Sequence, residues 1–169
     1  ISDFVWDSWE PNGRLSSSGK LPIISSLPTE TIPFDKREGF VFASRWIPNK
    51  GLRILLEAYS QADIDRNVWP LTLIGDGPLK KEVLTYIQQK NLTQVKVTGF
   101  ISDEDRNRHI SHAKWMVTPP HTKEDLGLTV IESRSVKVPC IITSDGGLPE
   151  AAGRNALVCK PGDVEGLKH

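Results

Sequence analysis

Trp115-Met-Val-Thr-Pro-Pro-His-Thr-Lys-Glu-Asp-Leu-Gly-Leu-Thr-Val-Ile-Glu132 decides the fold. Trp115–Thr118 reads as a short strand, closed by Pro119-Pro120. From Leu128 the apolar residues take helical spacing, Leu128 and Ile131, with Ser135 on the same face. The order is therefore strand, loop, glycine, helix. A helix that starts at Gly127 leaves the N–H groups of Leu128 and Thr129 without intrahelical acceptors, which makes a ready anion site. Glu124 stands on the approach to that site, and Glu132 lies about one turn inside the helix. Carboxylates flanking a phosphate make electrostatic sense for a long ligand. In a nucleotide-sugar the diphosphate would meet the helix end while two sugars offer hydroxyls to the two carboxylates.

The same alternation extends in both directions. Phe40–Ala43, Leu71–Ile74, Val95–Val97, Trp115–Thr118, Cys140–Thr143 and Ala156–Val158 read as six strands. Leu52, Leu55, Leu56 and Tyr59 share one helical face, and Leu79, Val83 and Ile87 mark another helix. Ser102 is an N-cap candidate, with Asp103, Glu104 and Asp105 suited to a first helical turn. Strands that alternate with helices predict an α/β fold, a doubly wound, Rossmann-like parallel sheet covered on both faces. The default order 3-2-1-4-5-6 makes strands 1 and 4 neighbours at the switch point, beyond whose carboxyl ends ligands bind. Residues 1–37, broken by Pro11-Asn-Gly13, Ser16-Ser-Ser-Gly19 and prolines 22, 28 and 33, read as an irregular lead-in or linker. Phe4-Val-Trp6 and Ile23-Ile24 are candidates for short edge strands within it.

Composition narrows the function classes. The 169 residues make one domain's worth of chain, and 21 basic residues balance 21 acidic ones. That balance gives no electrostatic support for nucleic-acid or membrane-surface binding, and no apolar run approaches membrane-span length. Cys140 and Cys159 lie in or beside short apolar runs and read as free thiols in a reducing, cytoplasmic setting. Peripheral membrane association of a full-length protein is left open. The chain opens on Ile1 with no signal-peptide pattern, and reads as part of something longer.

The loop after strand 1 faces the Glu124 loop across the expected switch point. It reads Ser44-Arg-Trp-Ile-Pro-Asn-Lys-Gly51, with Arg45 and Lys50 flanking a proline-stiffened turn. A planar guanidinium fork and an ammonium point charge together suit a diphosphate. The Glu124–Glu132 stretch resembles the E-x7-E motif of the group 1 (family 4) retaining glycosyltransferases of the GT-B fold. Ser44–Gly51 is similar to that family's G-R-x-x-x-x-K-G signature, with Ser44 in place of the first glycine. Gly75-Asp-Gly-Pro78, Val97-Thr-Gly-Phe100, Asp145-Gly-Gly-Leu-Pro-Glu150 and Asn155 with Val158–Asp163 resemble further family segments, in order, from about Gly39 to Asp163.

The resemblance implies a donor-binding domain that works with a nucleoside-diphosphate-sugar, transferring hexose with retention of configuration and without a cofactor or metal. Arg45, Lys50, Gly127, Leu128 and Thr129 would hold the diphosphate and Glu132 the ribose. Backbone at Phe100 and Ile101 would lie against the base, and Glu124 would act at the donor sugar as the catalytic position. The expected partner is an N-terminal acceptor domain that residues 1–37 cannot supply. Residues 38–169 would be the donor domain without the family's C-terminal helix, inactive in transfer by itself. A 2-epimerase of the same fold and a pure nucleotide-sugar-binding module are the alternatives. Asp125-Leu126 departs from the more usual Gly-Phe, and Ser133 from the usual Ala.

Three other patterns read as structural. Gly75-Asp-Gly77 lacks the third glycine of a dinucleotide fingerprint, because Lys80 holds that place. Asp103-Glu-Asp105 imitates a D-x-D metal motif but sits at a helix start. His109, His112, His121 and His169 have no metal-ligand spacing, and His121 reads as an exposed loop residue.

Overall fold

A computed structural model describes residues 27–122, 124 and 126–169. The candidate edge strands at Phe4–Trp6 and Ile23-Ile24, and the departure at Asp125, lie outside the described residues. Six strands form one parallel sheet: β1 (Glu38–Ala43), β2 (Leu71–Ile74), β3 (Val95–Gly99), β4 (Ala113–Thr118), β5 (Cys140–Thr143) and β6 (Leu157–Cys159). Their order is β3-β2-β1-β4-β5-β6, every neighbouring pair parallel. This is the doubly wound α/β arrangement read from the sequence, with its switch point between β1 and β4.

Each central strand is buried on both faces, so alternate residues enter two different cores. Val41 and Met116 join one core with Ile110, Val130, Ile142 and Leu148. Phe42 and Val117 join the other with Trp46, Leu52, Leu56, Leu73 and Val83. On this second face lie α1 (Leu52–Gln61) and α2 (Lys80–Gln89). The first face is covered by α3 (Asp103–His112) and α4 (Leu128–Ser135), together with the short α5 (Leu148–Ala152). Helix α1 follows from its sequence: Leu52, Leu55, Leu56 and Tyr59 all turn inward, each burial contributing roughly 1.5–3 kcal/mol. Ser102 caps α3 by accepting the Asp105 N–H at 3.1 Å, and the acidic triplet occupies the first turn.

Two details differ from the sequence reading. The buried face of α4 is not Leu128–Ile131–Ser135: Leu128 is 41% exposed, while Val130 and Ser133 are fully buried. The first turn of α4 fronts the cleft, and small Ser133 permits close packing by returning its hydroxyl to the Thr129 carbonyl at 2.7 Å. Short helix α5 begins inside the Asp145–Glu150 segment, where no helix was expected, and another short helix, α6 (Val164–Lys168), follows Asp163. Among the described residues, the stretch just before β1 is tied to the domain through Arg37. Buried Arg37 donates to the Ile32, Lys137 and Val136 carbonyls at 2.7, 2.6 and 2.9 Å. None of the helices among the described residues is long and apolar enough to cross a membrane.

Candidate functional site

The loops after β1 and β4 meet beyond the carboxyl ends of their strands. Gly51 opens α1 with φ of 76°, in the left-handed region. A Cβ there would stand 1.7 Å from the Pro119 carbonyl oxygen, so the close approach of the two loops requires glycine. The His121 N–H donates to the Asn49 carbonyl at 3.2 Å, adding a direct backbone tie. His121 itself is exposed.

The β1 loop is braced from behind by Trp46, which is fully buried. Its backbone N–H donates to the Asp76 carbonyl at 2.9 Å, and its carbonyl accepts the Leu79 N–H at 3.1 Å. The indole donates to the Ile74 carbonyl at 3.3 Å. Gly75 and Gly77 pack against the backbone of Ser44 and Trp46, at distances that leave no room for a Cβ. The Gly75–Pro78 turn is thus the support of the β1 loop, in keeping with its structural reading. Arg45 is exposed and lines the cleft.

Glu124 is held by its backbone. Its N–H donates to Asp145 Oδ2 at 2.7 Å, and its carbonyl accepts the Gly147 N–H at 2.8 Å. Gly146, with φ of 52°, brings this turn so close that a Cβ would lie 1.9 Å from the Glu124 carbonyl oxygen. The Asp145-Gly-Gly147 turn therefore acts as a clamp on the glutamate. With its main chain fixed, the Glu124 side chain reaches across the switch point to Lys50, Oε2 to Nζ 2.5 Å, both side chains about five-sixths buried. The structure thus brings two of the expected ligands together as an ion pair, across 74 residues of sequence.

Helix α4 starts at Gly127, φ 75°, where a Cβ would meet Leu148 at 2.5 Å. No side chain caps it. The first backbone donors satisfied inside the helix are the N–H groups of Val130 and Ile131, both on the Gly127 carbonyl. Those of Leu128 and Thr129 have no acceptor among the described residues, as a helix N-terminus that serves an anion requires.

One turn further, Glu132 is buried, with its side chain only 6% exposed. Burial pushes its carboxyl above the ordinary glutamate value; the Arg106 guanidinium opposes the rise and Asp103 adds to it. Arg106 Nη2 donates to Glu132 Oε1 at 3.1 Å, and its Nη1 donates to Asp103 Oδ1 at 2.7 Å. Glu132 Oε2 is buried without a hydrogen-bond partner among the described residues.

Arg45 of the β1 loop, Thr129 of α4 and Arg106 border a cleft of about 260 Å³, lined also by Ser44, Gly75, Phe100 and Ile101; the Lys50–Glu124 pair and Glu132 are not among its lining residues. Phe100 is 89% exposed, so its side chain is free of the core while its backbone follows Gly99 into the cleft wall. A larger depression of about 640 Å³ lies at the opposite, amino ends of the strands, around Glu38, Asn67, Lys96 and His109. It shares no residue with the switch-point cleft. Cys140 is a buried free thiol, pushed up to about 12 by desolvation, and Cys159 is also free. Among the described residues no three His, Cys, Asp or Glu side chains group as a metal site would. Asp145, Trp46 and Arg106 are site-building residues whose roles the sequence reading did not assign; the spacing of Asp103 and Arg106, an i,i+3 pair, was the available signal for the last.

Fold and site together define a doubly wound domain with charged, glycine-shaped loops gathered at its 1–4 switch point. The sequence profile of the family described as "Glycosyl transferases group 1" matches residues 27–169, and the chain belongs to that family. It is similar to the 2-deoxystreptamine N-acetyl-D-glucosaminyltransferase of Niallia circulans, with 29% identity over 159 residues, 92% of this chain and 40% of that one. Among solved structures, the lipopolysaccharide outer core galactosyltransferase WaaB in its apo form is similar with a TM-score of 0.77 at 18% identity, covering 99% of this chain and 49% of that one. Anabaena HepE in complex with UDP and glucose gives a TM-score of 0.69 at 22% identity, over 80% of this chain and 38% of that one. The structural likeness is one of fold, the Rossmann-like domain of GT-B glycosyltransferases. The chain spans less than half the length of each of these proteins.

Proposed function

We propose that this domain binds the nucleoside-diphosphate-sugar donor of a retaining hexosyltransferase whose acceptor is held by a further, N-terminal domain. The observation that carries the reading is the convergence at one switch point of Arg45, the Lys50–Glu124 pair and the unsatisfied N–H groups of Leu128 and Thr129. The cations and the helix end would stabilise charge that builds on the departing diphosphate. Glu124, fixed through its main chain, would meet the donor sugar. Glu132 would receive the ribose, and the Phe100–Ile101 backbone would lie along the base. In the transfer the anomeric carbon loses its bond to the diphosphate oxygen and gains one to the acceptor hydroxyl. The proton of that hydroxyl leaves with the diphosphate.

No metal enters this scheme, since two cations and a helix N-terminus balance the diphosphate. Transfer requires the acceptor within reach of the anomeric carbon, and such orientation supplies much of the rate. The 169-residue chain therefore binds nucleotide without transferring sugar, whereas the full-length protein transfers. No observation favours the 2-epimerase alternative.

The test is a thermal-shift screen of nucleoside diphosphates and their sugar conjugates. Stabilisation by one nucleotide-sugar series supports the reading. A flat response across all bases at millimolar ligand overturns it.

A further inference from the structure

Arg106 and Glu132 form half of an arginine–carboxylate fork. In a complete side-on pair the guanidinium presents Nε–H and Nη2–H along one edge, and each meets one carboxylate oxygen. Here Nη2 engages Oε1 at 3.1 Å. Its neighbour on that edge, Arg106 Nε, and the other carboxylate oxygen, Glu132 Oε2, are both buried with no partner among the described residues. One unsatisfied donor thus stands beside one unsatisfied acceptor, in a place where leaving either unpaired is costly.

The chemistry that answers such a gap is a group that accepts and donates at once. A hydroxyl does both: its oxygen accepts from Nε–H while its hydrogen goes to Oε2. The gap adjoins the switch-point cleft through one of its own members, Arg106. Thr129 and Arg106 line the switch-point cleft, and Glu132 follows Thr129 by three residues on the same helix, one turn further in. The second ion pair of Arg106, Nη1 with Asp103 Oδ1 at 2.7 Å, holds the guanidinium plane from its other end, so the open edge keeps its direction.

We propose that Arg106 is a specificity-determining residue of the nucleotide site: the open half of the Arg106–Glu132 fork receives one ribose hydroxyl, accepting it through Glu132 Oε2 and donating to it through Arg106 Nε. The assignment rests on the donor-site reading above and adds to it a second protein partner for the sugar. It makes discrimination against deoxyribose a property of the pair. A lysine at this position would keep the charge beside Glu132 but would lack the side-on edge.

The experiment is calorimetric titration of the full-length protein with a ribonucleoside diphosphate, chosen from the thermal-shift screen, and with its 2′-deoxy and 3′-deoxy analogues. Wild type should prefer the ribonucleotide over one of the two analogues by about tenfold. Arg106→Leu should lose that preference by weakening only the ribonucleotide, and Arg106→Lys should lose it as well, despite the retained charge. Circular dichroism and a cooperative thermal unfolding transition serve as the check that each variant is folded. A ribose preference that survives intact in folded Arg106→Leu overturns the assignment while leaving the donor site standing. Equal losses for ribo- and deoxyribonucleotide overturn it too, since they mean that Arg106 only supports the helix. Failure of wild type to bind any nucleoside diphosphate overturns the donor-site reading itself.

Discussion

Glu124 should be an obstacle to the free nucleoside diphosphate, even though it is proposed to serve the intact donor. Lys50 Nζ lies 2.5 Å from Glu124 Oε2. A phosphate oxygen on the other side of the ammonium would sit about 2.8 Å away, which places the phosphate and carboxylate charges roughly 5–6 Å apart. At an effective dielectric of 20–40 two such charges repel by about 1.5–3 kcal/mol, and screening at physiological salt brings this to about 1 kcal/mol. Glu124→Gln keeps the shape and removes the charge. It should therefore bind nucleoside diphosphate about fivefold tighter than wild type. Lys50→Ala removes a charge-assisted contact and leaves Glu124 unpaired, which should weaken the same ligand by about 1.5–3 kcal/mol.

Titration calorimetry of the two single variants and the double variant makes the cycle. Because the residues touch, the effects should not add: Glu124→Gln should recover part of the affinity lost in Lys50→Ala. Turnover of the full-length protein should still fall steeply in Glu124→Gln, since the carboxylate is assigned to the sugar. More than twofold weaker diphosphate binding in Glu124→Gln would refute the reasoning, because it would mean that Glu124 supports the phosphates instead of opposing them.

Gly146→Ala should destabilise the fold by more than about 2 kcal/mol in urea unfolding, combining left-handed strain with a clash on the Glu124 carbonyl, whereas Gly162→Ala, with φ of 79° and nothing within 4 Å of the added Cβ, should cost about 1 kcal/mol. Glu132→Gln tests the buried carboxyl: its raised folded value means the folded state keeps the proton to higher pH than the unfolded one, so this group lowers stability as pH rises from the unfolded value through the raised one. The variant should therefore gain on wild type above that window and converge with it below, as read by chemical denaturation across pH. Nucleoside-diphosphate affinity should be the same in excess chelator as without it; abolition by chelator would bring Asp103–Asp105 back as ligands.

The strands were legible because a parallel strand buried on both faces is a short, nearly unbroken apolar run. Leu71–Ile74 and Cys140–Thr143 have the bounds read from sequence, and the switch point followed from their alternation with helices. The five-residue helices α5 and α6 were not legible, being too short to display a period. Nor was the buried face of α4, where the decision between Leu128 and Ser133 belongs to the neighbouring elements. For the site, sequence indicated which loops meet but not which side chains pair. Lys50 and Glu124 lie 74 residues apart, and Arg106 and Glu132 lie 26 apart. Those pairings change the electrostatic problem posed by two glutamates beside a phosphate site. Each carboxylate already has a cation, so the switch-point loops and α4 carry two ion pairs instead of a bare negative field. The proposed donor carries both anionic oxygens and hydroxyls, which would meet the two pairs differently. In the proposed donor site a phosphate would share Lys50 with Glu124, and a ribose hydroxyl would bridge Arg106 Nε and Glu132 Oε2, so neither ion pair would have to break for the donor to bind.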